Sequence, residues 1–251
     1  MASVDVGLTP AEIPPGDVAV VVDVLRATST IVQALDAGYR RVLCCDSLDA
    51  ARSLRGDGRV LAGERKCMRA PDFELGNSPA AIASQPPLGE ELVLATTNGS
   101  PAIVAASERF DRVLIGCLLN LRATVAAIPS GARLAIVCSG TDGRAALEDI
   151  YLAGRIVEQL QGRLYDGGRI ALCVAGAYDD ALEPLAASAD GAVLEASGQT
   201  RDIAWCAEES TIDLVPEVTS ASDQATTVSL VAAAEPRQGN SNAKRDIAKT
   251  Q

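Results

Sequence analysis

Six short apolar runs, each rich in valine, leucine or isoleucine and most closed by a polar turn, constrain the fold of this chain more than any other feature. They cover residues 18–22, 41–46, 59–63, 91–95, 112–116 and 133–138. Each is the length of a buried strand, and the segments between them carry apolar residues at helical spacing, as with Ile31, Ala34, Leu35 and Gly38 after the first run. Strands alternating with helices at short intervals predict a helix-covered, largely parallel sheet. The expected fold class is therefore α/β: a three-layer α/β/α domain whose sheet is largely parallel or mixed. It forms either one sheet or two lobes with the site between them.

With 251 residues, 48% of them apolar, the chain can bury a substantial core. Aromatic residues are only 3%, which suits close packing of alanine- and valine-rich helices on a sheet. One α/β domain is expected over residues 1–235. Within it 166–176 reads as helix, 211–215 as a late strand and Trp205 as a core residue. Residues 236–251 lack a periodic apolar pattern and read as a flexible C-terminal tail. The clearest amphipathic helix follows residue 146. Leu147, Ile150, Tyr151 and Val157 share its stripe, with Gly154 where a neighbour can approach closely.

The charge balance, 22 basic against 33 acidic residues, gives −11 and leaves no basic footprint for a nucleic acid. No segment reads as a membrane span or a signal peptide, so a cytoplasmic protein is expected, with no membrane partner. There are no histidines. That excludes a Ser-His-Asp triad, a Cys-His pair and any His-bearing zinc site. Seven cysteines occur without a CxxC pair. Six read as small core hydrophobes, and Cys67, in a polar loop, is the exception. Chemistry here falls to carboxylates, hydroxyls, arginines, backbone dipoles and a hard cation.

Three strand–polar turn–helix units carry such groups, and in an open α/β sheet these turns gather where ligands bind. The first offers Asp23, Arg26, Thr28, Ser29 and Thr30 at a helix start; the second Thr96, Thr97, Asn98 and Gly99; the third Ser139, Gly140, Thr141 and Gly143. Helix starts and small-residue turns accept oxyanions. Glu64 and Arg65 follow the third strand, and Asn77 and Ser78 form a turn and cap before Pro79. Glu148 and Asp149 open the amphipathic helix, where they either complement its dipole or bind a metal. The plainer reading of the first unit is a helix cap beside a solvated strand end.

With these motifs in view, the chain resembles the 2-phosphosulfolactate phosphatase family. The matching segments are DVLRATSTI (23–31), GER (63–65), FELGNSP (73–79), TTNG (96–99), GCLLN (116–120), CSGTDGR (138–144) and LED (147–149). It departs from the family pattern at Pro71 and Asp72, where glycine is usual, at Ala145 and Ala146, where Phe-Ser is common, and at Ser197 and Gly198, near a usual His-Gly. The resemblance implies a Mg²⁺-dependent hydrolase converting 2-phospho-3-sulfolactate to 3-sulfolactate, a step of coenzyme M synthesis in methanogens. The partner is then a small anionic phosphorylated substrate, and association of identical chains stays open. On this reading Asp23, Glu64, Glu148 and Asp149 hold the metal, and Arg26, Arg65 and the 28–30 turn hold the phosphate. The 96–99 and 139–143 turns receive the carboxylate and sulfonate. The nucleophile is either Asp23 or metal-activated water. Alternatives are a phosphatase of another small phosphorylated acid and a non-catalytic binder of an anionic metabolite.

Overall fold

Valine-rich runs such as 18–22 are extended because branched side chains fit a pleated, two-sided core better than a helix. All six expected runs are strands in the computed structural model, which describes residues 2–230. In chain order the strands are β1 (Ser3–Gly7), β2 (Val18–Val22), β3 (Arg41–Cys45), β4 (Arg59–Arg65), β5 (Met68–Arg69), β6 (Glu91–Ala95), β7 (Val113–Gly116), β8 (Arg133–Cys138), β9 (Arg163–Leu164), β10 (Pro216–Ala221) and β11 (Thr226–Leu230). The helices are α1 (Ala27–Asp36), α2 (Leu48–Ser53), α3 (Pro79–Ala83), α4 (Gly99–Ser107), α5 (Leu121–Ala127), α6 (Leu147–Glu158), α7 (Asp166–Ala175), α8 (Leu182–Ala187), α9 (Ala189–Ala196) and α10 (Thr200–Cys206).

The strands form one mixed sheet in the order β5-β4-β6-β3-β11-β10-β7-β2-β8-β1-β9. Two parallel blocks, β4-β6-β3 and β7-β2-β8-β1-β9, are joined by the β10–β11 hairpin, which is antiparallel to both neighbours. Counting strand senses through that hairpin, the blocks run in opposite directions. Their carboxyl ends nevertheless meet: a Cβ on Gly99, just after β6, would lie 2.4 Å from Asp23 Oδ2, just after β2. The turn after β6 in one block therefore lies against the turn after β2 in the other. Of the two arrangements expected, the strands form the single sheet.

Alternate residues of β2 enter different cores. Val20 and Val22 pack with α6 and α7 residues on one face, and Ala19 and Val21 pack with α1 and α4 residues on the other. Both faces are covered, as three layers require. Gly154 behaves as its place on the α6 stripe suggested, since a Cβ there would come 2.1 Å from Ala171 O of α7. Residues 166–175 are helical as expected.

The late strand expected at 211–215 is irregular. Strand structure begins only at Pro216, where the hairpin partner β11 supplies the hydrogen bonds. Trp205 is partly buried, its indole N–H donating to Gln33 Oε1 at 3.0 Å. Cys173, read as a core residue, is exposed on α7; five other cysteines are buried and Cys67 is half-buried. The expected tail, 236–251, lies outside the described residues. No described helix is long and apolar enough to cross a membrane.

Candidate active site

Asp23 is the first residue past β2 and is 6% exposed. Its Oδ1 accepts from Ala27 N at 2.8 Å, so the carboxylate itself caps α1, and its Oδ2 accepts from Ser139 Oγ at 2.9 Å. The hydroxyls expected to do the capping do something else. Thr28 Oγ1 donates to Asp23 O and accepts from Asp23 N, and Ser29 Oγ donates to Val24 O. Both are buried inside the helix's first turn, and the buried Thr30 Oγ1 has no partner. This cluster braces the turn, and the groups it can offer an anion directly are few.

Glu64, near the end of β4 in the other block, lies close enough for its charge to raise Asp23. Its Oε1 accepts from Thr97 N (2.9 Å) and Thr97 Oγ1 (3.0 Å), and its Oε2 from Cys67 N (2.8 Å). Lys66 and Cys67 both have positive φ, 53° and 60°, in the two-residue turn joining antiparallel β4 and β5. Such turns favour Asn-Gly. Holding two ordinary side chains there costs backbone strain, and the Cys67 N–H so aimed secures Glu64.

Asp149 and Glu148, each 2% exposed, project from the start of α6. Asp149 Oδ1 accepts from Val24 N at 2.9 Å; its Oδ2 accepts from Gly140 N at 3.0 Å and lies 3.1 Å from Ser139 Oγ. Ser139 thus stands between two carboxyl groups with one hydroxyl proton to give. The trio is satisfied when one of the acids carries a proton and donates it back to the serine. Glu148 Oε2 is buried with no partner.

These groups raise one another's proton affinity. Burial pushes Asp23 up to about 6, with the charges of Asp190 and Glu64 adding to it and the Ala27 and Ser139 hydrogen bonds opposing. Burial takes Asp149 to about 8, Asp23 adding to it, and Glu148 to about 9, with Asp149 and Asp190 adding. Together the three acids hold protons to higher pH than free carboxylates do.

Asp190, on α9, was not singled out from sequence. It accepts from Thr141 Oγ1 at 2.6 Å, and its own carboxyl is raised, chiefly by burial and with a contribution from Glu64. An acid in a helix's first turn after Ser188 looks like ordinary dipole complementation, which conceals it. Asp202 was missed as well, although a charge sharing the buried stripe of α10 with Ile203 and Cys206 is a usable signal.

The remaining expected residues divide. Arg26 is buried and its Nη1 is held by Asp202 and, at 2.6 Å, by Gln199 Oε1. Arg65 folds back, donating to Glu64 O at 2.7 Å. Ser78 caps α3 as expected, accepting from Ala81 N at 3.1 Å, and Asn77 is buried with its Oδ1 unpartnered. Thr96 is paired with Ser100, and Asn98 Oδ1 accepts from Asp142 N at 3.2 Å, tying the second turn to the third. Gly140 and Gly143 take positive φ, 60° and 75°, which lets the 139–144 turn close on itself through Thr141 and Arg144. Much of the donor capacity foreseen for substrate oxyanions therefore orients the protein's own carboxylates.

Among the described residues, no three His, Cys, Asp or Glu side chains converge closely enough to hold one ion unaided. The donor set still suits a small hard cation. It is all oxygen, mutually repelling, and includes an orphaned buried Glu148 oxygen. Mg²⁺ binds through one or two carboxylates, with water and phosphate oxygens completing its shell.

An open α/β sheet with buried carboxyl groups gathered after β2, at the end of β4 and at the start of α6 has the layout of the α/β ligand-binding and enzyme folds. A model of the 2-phosphosulpholactate phosphatase family matches residues 7–221. Probable 2-phosphosulfolactate phosphatases are similar to it in Thermus thermophilus, 38% identical over 80% of this chain and 87% of that protein, and in Deinococcus radiodurans, 38% identical over 82% and 90%. One from Thermotoga petrophila is 35% identical over 85% of this chain and 94% of its own length. The chain belongs to the 2-phosphosulfolactate phosphatase family and, with it, to the phosphoric monoester hydrolases.

Proposed function

We propose that this protein is a Mg²⁺-dependent phosphatase that hydrolyses 2-phospho-3-sulfolactate to 3-sulfolactate and phosphate. The observation that carries the reading is a run of buried carboxyl groups from both parallel blocks: Asp23 and Asp149 share the Ser139 hydroxyl, Glu148 adjoins Asp149, and Glu64 is near enough for its charge to raise Asp23. The family match and the names of the relatives support the substrate. Asp23 and Glu64 would hold the ion, with Asp149 and Glu148 behind them. When bound, the ion would supply Lewis-acid stabilisation of charge on the phosphoryl oxygens.

The protein's own groups do the rest. Arg26 presents N–H donors to the phosphate, which suits planar guanidinium recognition of oxyanions. Asp23 either attacks phosphorus or orients the water that does. Leu25 stands where phosphatases with an aspartyl nucleophile place a second acid, which favours water. All seven cysteines are unpaired, which suits a reducing cytoplasm.

Phosphate release measured on a panel of small phosphorylated acids, with Mg²⁺ and then with a chelator, tests this. The expected result is chelator-sensitive release, greatest with 2-phospho-3-sulfolactate. Faster release from another acid would reassign the substrate. Thermal stabilisation by these compounds without release would make the protein a binder.

A further inference from the structure

We propose that Asp202, assisted by Gln199, is a positioning residue that holds Arg26 off the acidic cluster and aims it at the substrate's phosphate. The inference rests on the phosphatase reading. Arg26 lies three residues beyond Asp23, and its Nη2 is 3.5 Å from the carbonyl of Cys67, whose own N–H donates to Glu64 Oε2 at 2.8 Å. A free guanidinium in that setting would collapse onto Asp23 or Glu64 and neutralise the groups the chemistry needs. It is prevented from doing so by contacts on several sides.

Asp202 Oδ2 takes Arg26 Nη1 in an ion pair whose side chains are 3% and 2% exposed. Its Oδ1 accepts from Ser78 Oγ at 2.7 Å and from Ala80 N at 3.3 Å, so the carboxylate is anchored to the start of α3. Gln199 Oε1 accepts from the same Nη1 at 2.6 Å, while its Nε2 donates to Cys67 O at 3.0 Å and Ser197 Oγ at 2.8 Å. Arg26 Nη2 has only a long contact, 3.5 Å, with Cys67 O. Guanidinium has five N–H donors, and those of Nη1 are spent on the clamp. The others are left for an oxyanion. A buried ion pair adds little net stability over an apolar pair of the same size, so orientation is the better account of its presence.

The test is a double-mutant cycle on Asp202→Asn and Arg26→Ala. It reads KM for 2-phospho-3-sulfolactate, kcat, the inhibition constant of inorganic phosphate, and the melting temperature. Asp202→Asn should raise KM and the phosphate constant together, by about ten- to a hundredfold, the worth of one or two hydrogen bonds to a charged group. In the Arg26→Ala background it should add no more than about twofold, because it acts through that arginine. Asp202→Glu should recover part of the loss. Gln199→Ala, a milder change, should raise KM by about three- to tenfold at an unchanged melting temperature. It decides the matter if Asp202→Asn fails to fold.

A fall in melting temperature with KM and the phosphate constant unmoved would show a purely structural pair and overturn the proposal. So would a full additional loss in the Arg26→Ala background. Should the wild type release no phosphate, the phosphatase reading fails. Calorimetric binding of inorganic phosphate to the same variants would then still decide the role of Asp202.

Discussion

Gly99→Ala is the sharpest perturbation the structure offers, because one added methyl meets both halves of the site. The new Cβ would lie 2.4 Å from Asp23 Oδ2 and 2.4 Å from Ala27 Cβ. Ordinary contact between such atoms is about 3.5–4.0 Å, so something must move by about an ångström. Ala27 belongs to the first turn of α1 and cannot retreat without pulling its N–H from Asp23 Oδ1, a 2.8 Å hydrogen bond. Asp23 cannot retreat without leaving Ser139. Overpacking of this kind costs about 1–3 kcal/mol, which for a chain of this length lowers the melting temperature by about 2–4 °C per kcal/mol. A reacting group displaced by about an ångström loses about a hundredfold in rate, so kcat/KM should fall far more than folded protein is lost. Thermal melts and phosphate release on the same preparation give both numbers. Wild-type kcat/KM in a normally folded Gly99→Ala protein would refute the placement of Asp23 against the 96–99 turn.

Gly154→Ala is the counterpart, since its Cβ would come 2.1 Å from Ala171 O, away from the candidate site. It should lower the melting temperature while kcat per folded molecule stays near wild type. Glu64→Gln keeps the shape but removes the charge held by Thr97 and Cys67; activity should drop by about a hundredfold with circular dichroism unchanged. Without metal, the raised acids make stability depend on pH in a defined direction. The folded state keeps protons that the unfolded chain has already released, so the stabilisation present below about pH 4 is lost as pH climbs through about 6, 8 and 9 for Asp23, Asp149 and Glu148. The melting temperature of the chelated protein should therefore fall across that range, and Mg²⁺ should flatten the fall. A melting temperature independent of pH would contradict the clustering of these groups.

The strands were legible because a continuous β-branched run has few other homes, and the turns after β2, β6 and β8 because their hydroxyls and glycines interrupt apolar patterns. The role of each hydroxyl was not. Thr28 and Ser29 look the same in sequence whether they face a ligand or bond backward to Asp23 O and Val24 O, and only the fold decides. The β4–β5 hairpin escaped notice because Lys66 and Cys67 occupy a turn that ordinarily advertises itself with glycine. Asp190 and Asp202 join the site from helices more than forty residues downstream of Ser139, and no local pattern encodes that return. The expectation of a strand at 211–215 failed for a related reason. An apolar run becomes a strand only where a partner edge is available, and β11 meets β10 only from Pro216 onward.

The most direct test compares phosphate release from 2-phospho-3-sulfolactate by the wild type and by Asp23→Asn, both saturated with Mg²⁺ and both shown to be folded. Because Asp23 lies against the Gly99 turn of one block and accepts from Ser139 of the other, the variant should release no phosphate above background. Turnover near the wild-type rate by the asparagine variant would place the reaction elsewhere in the molecule.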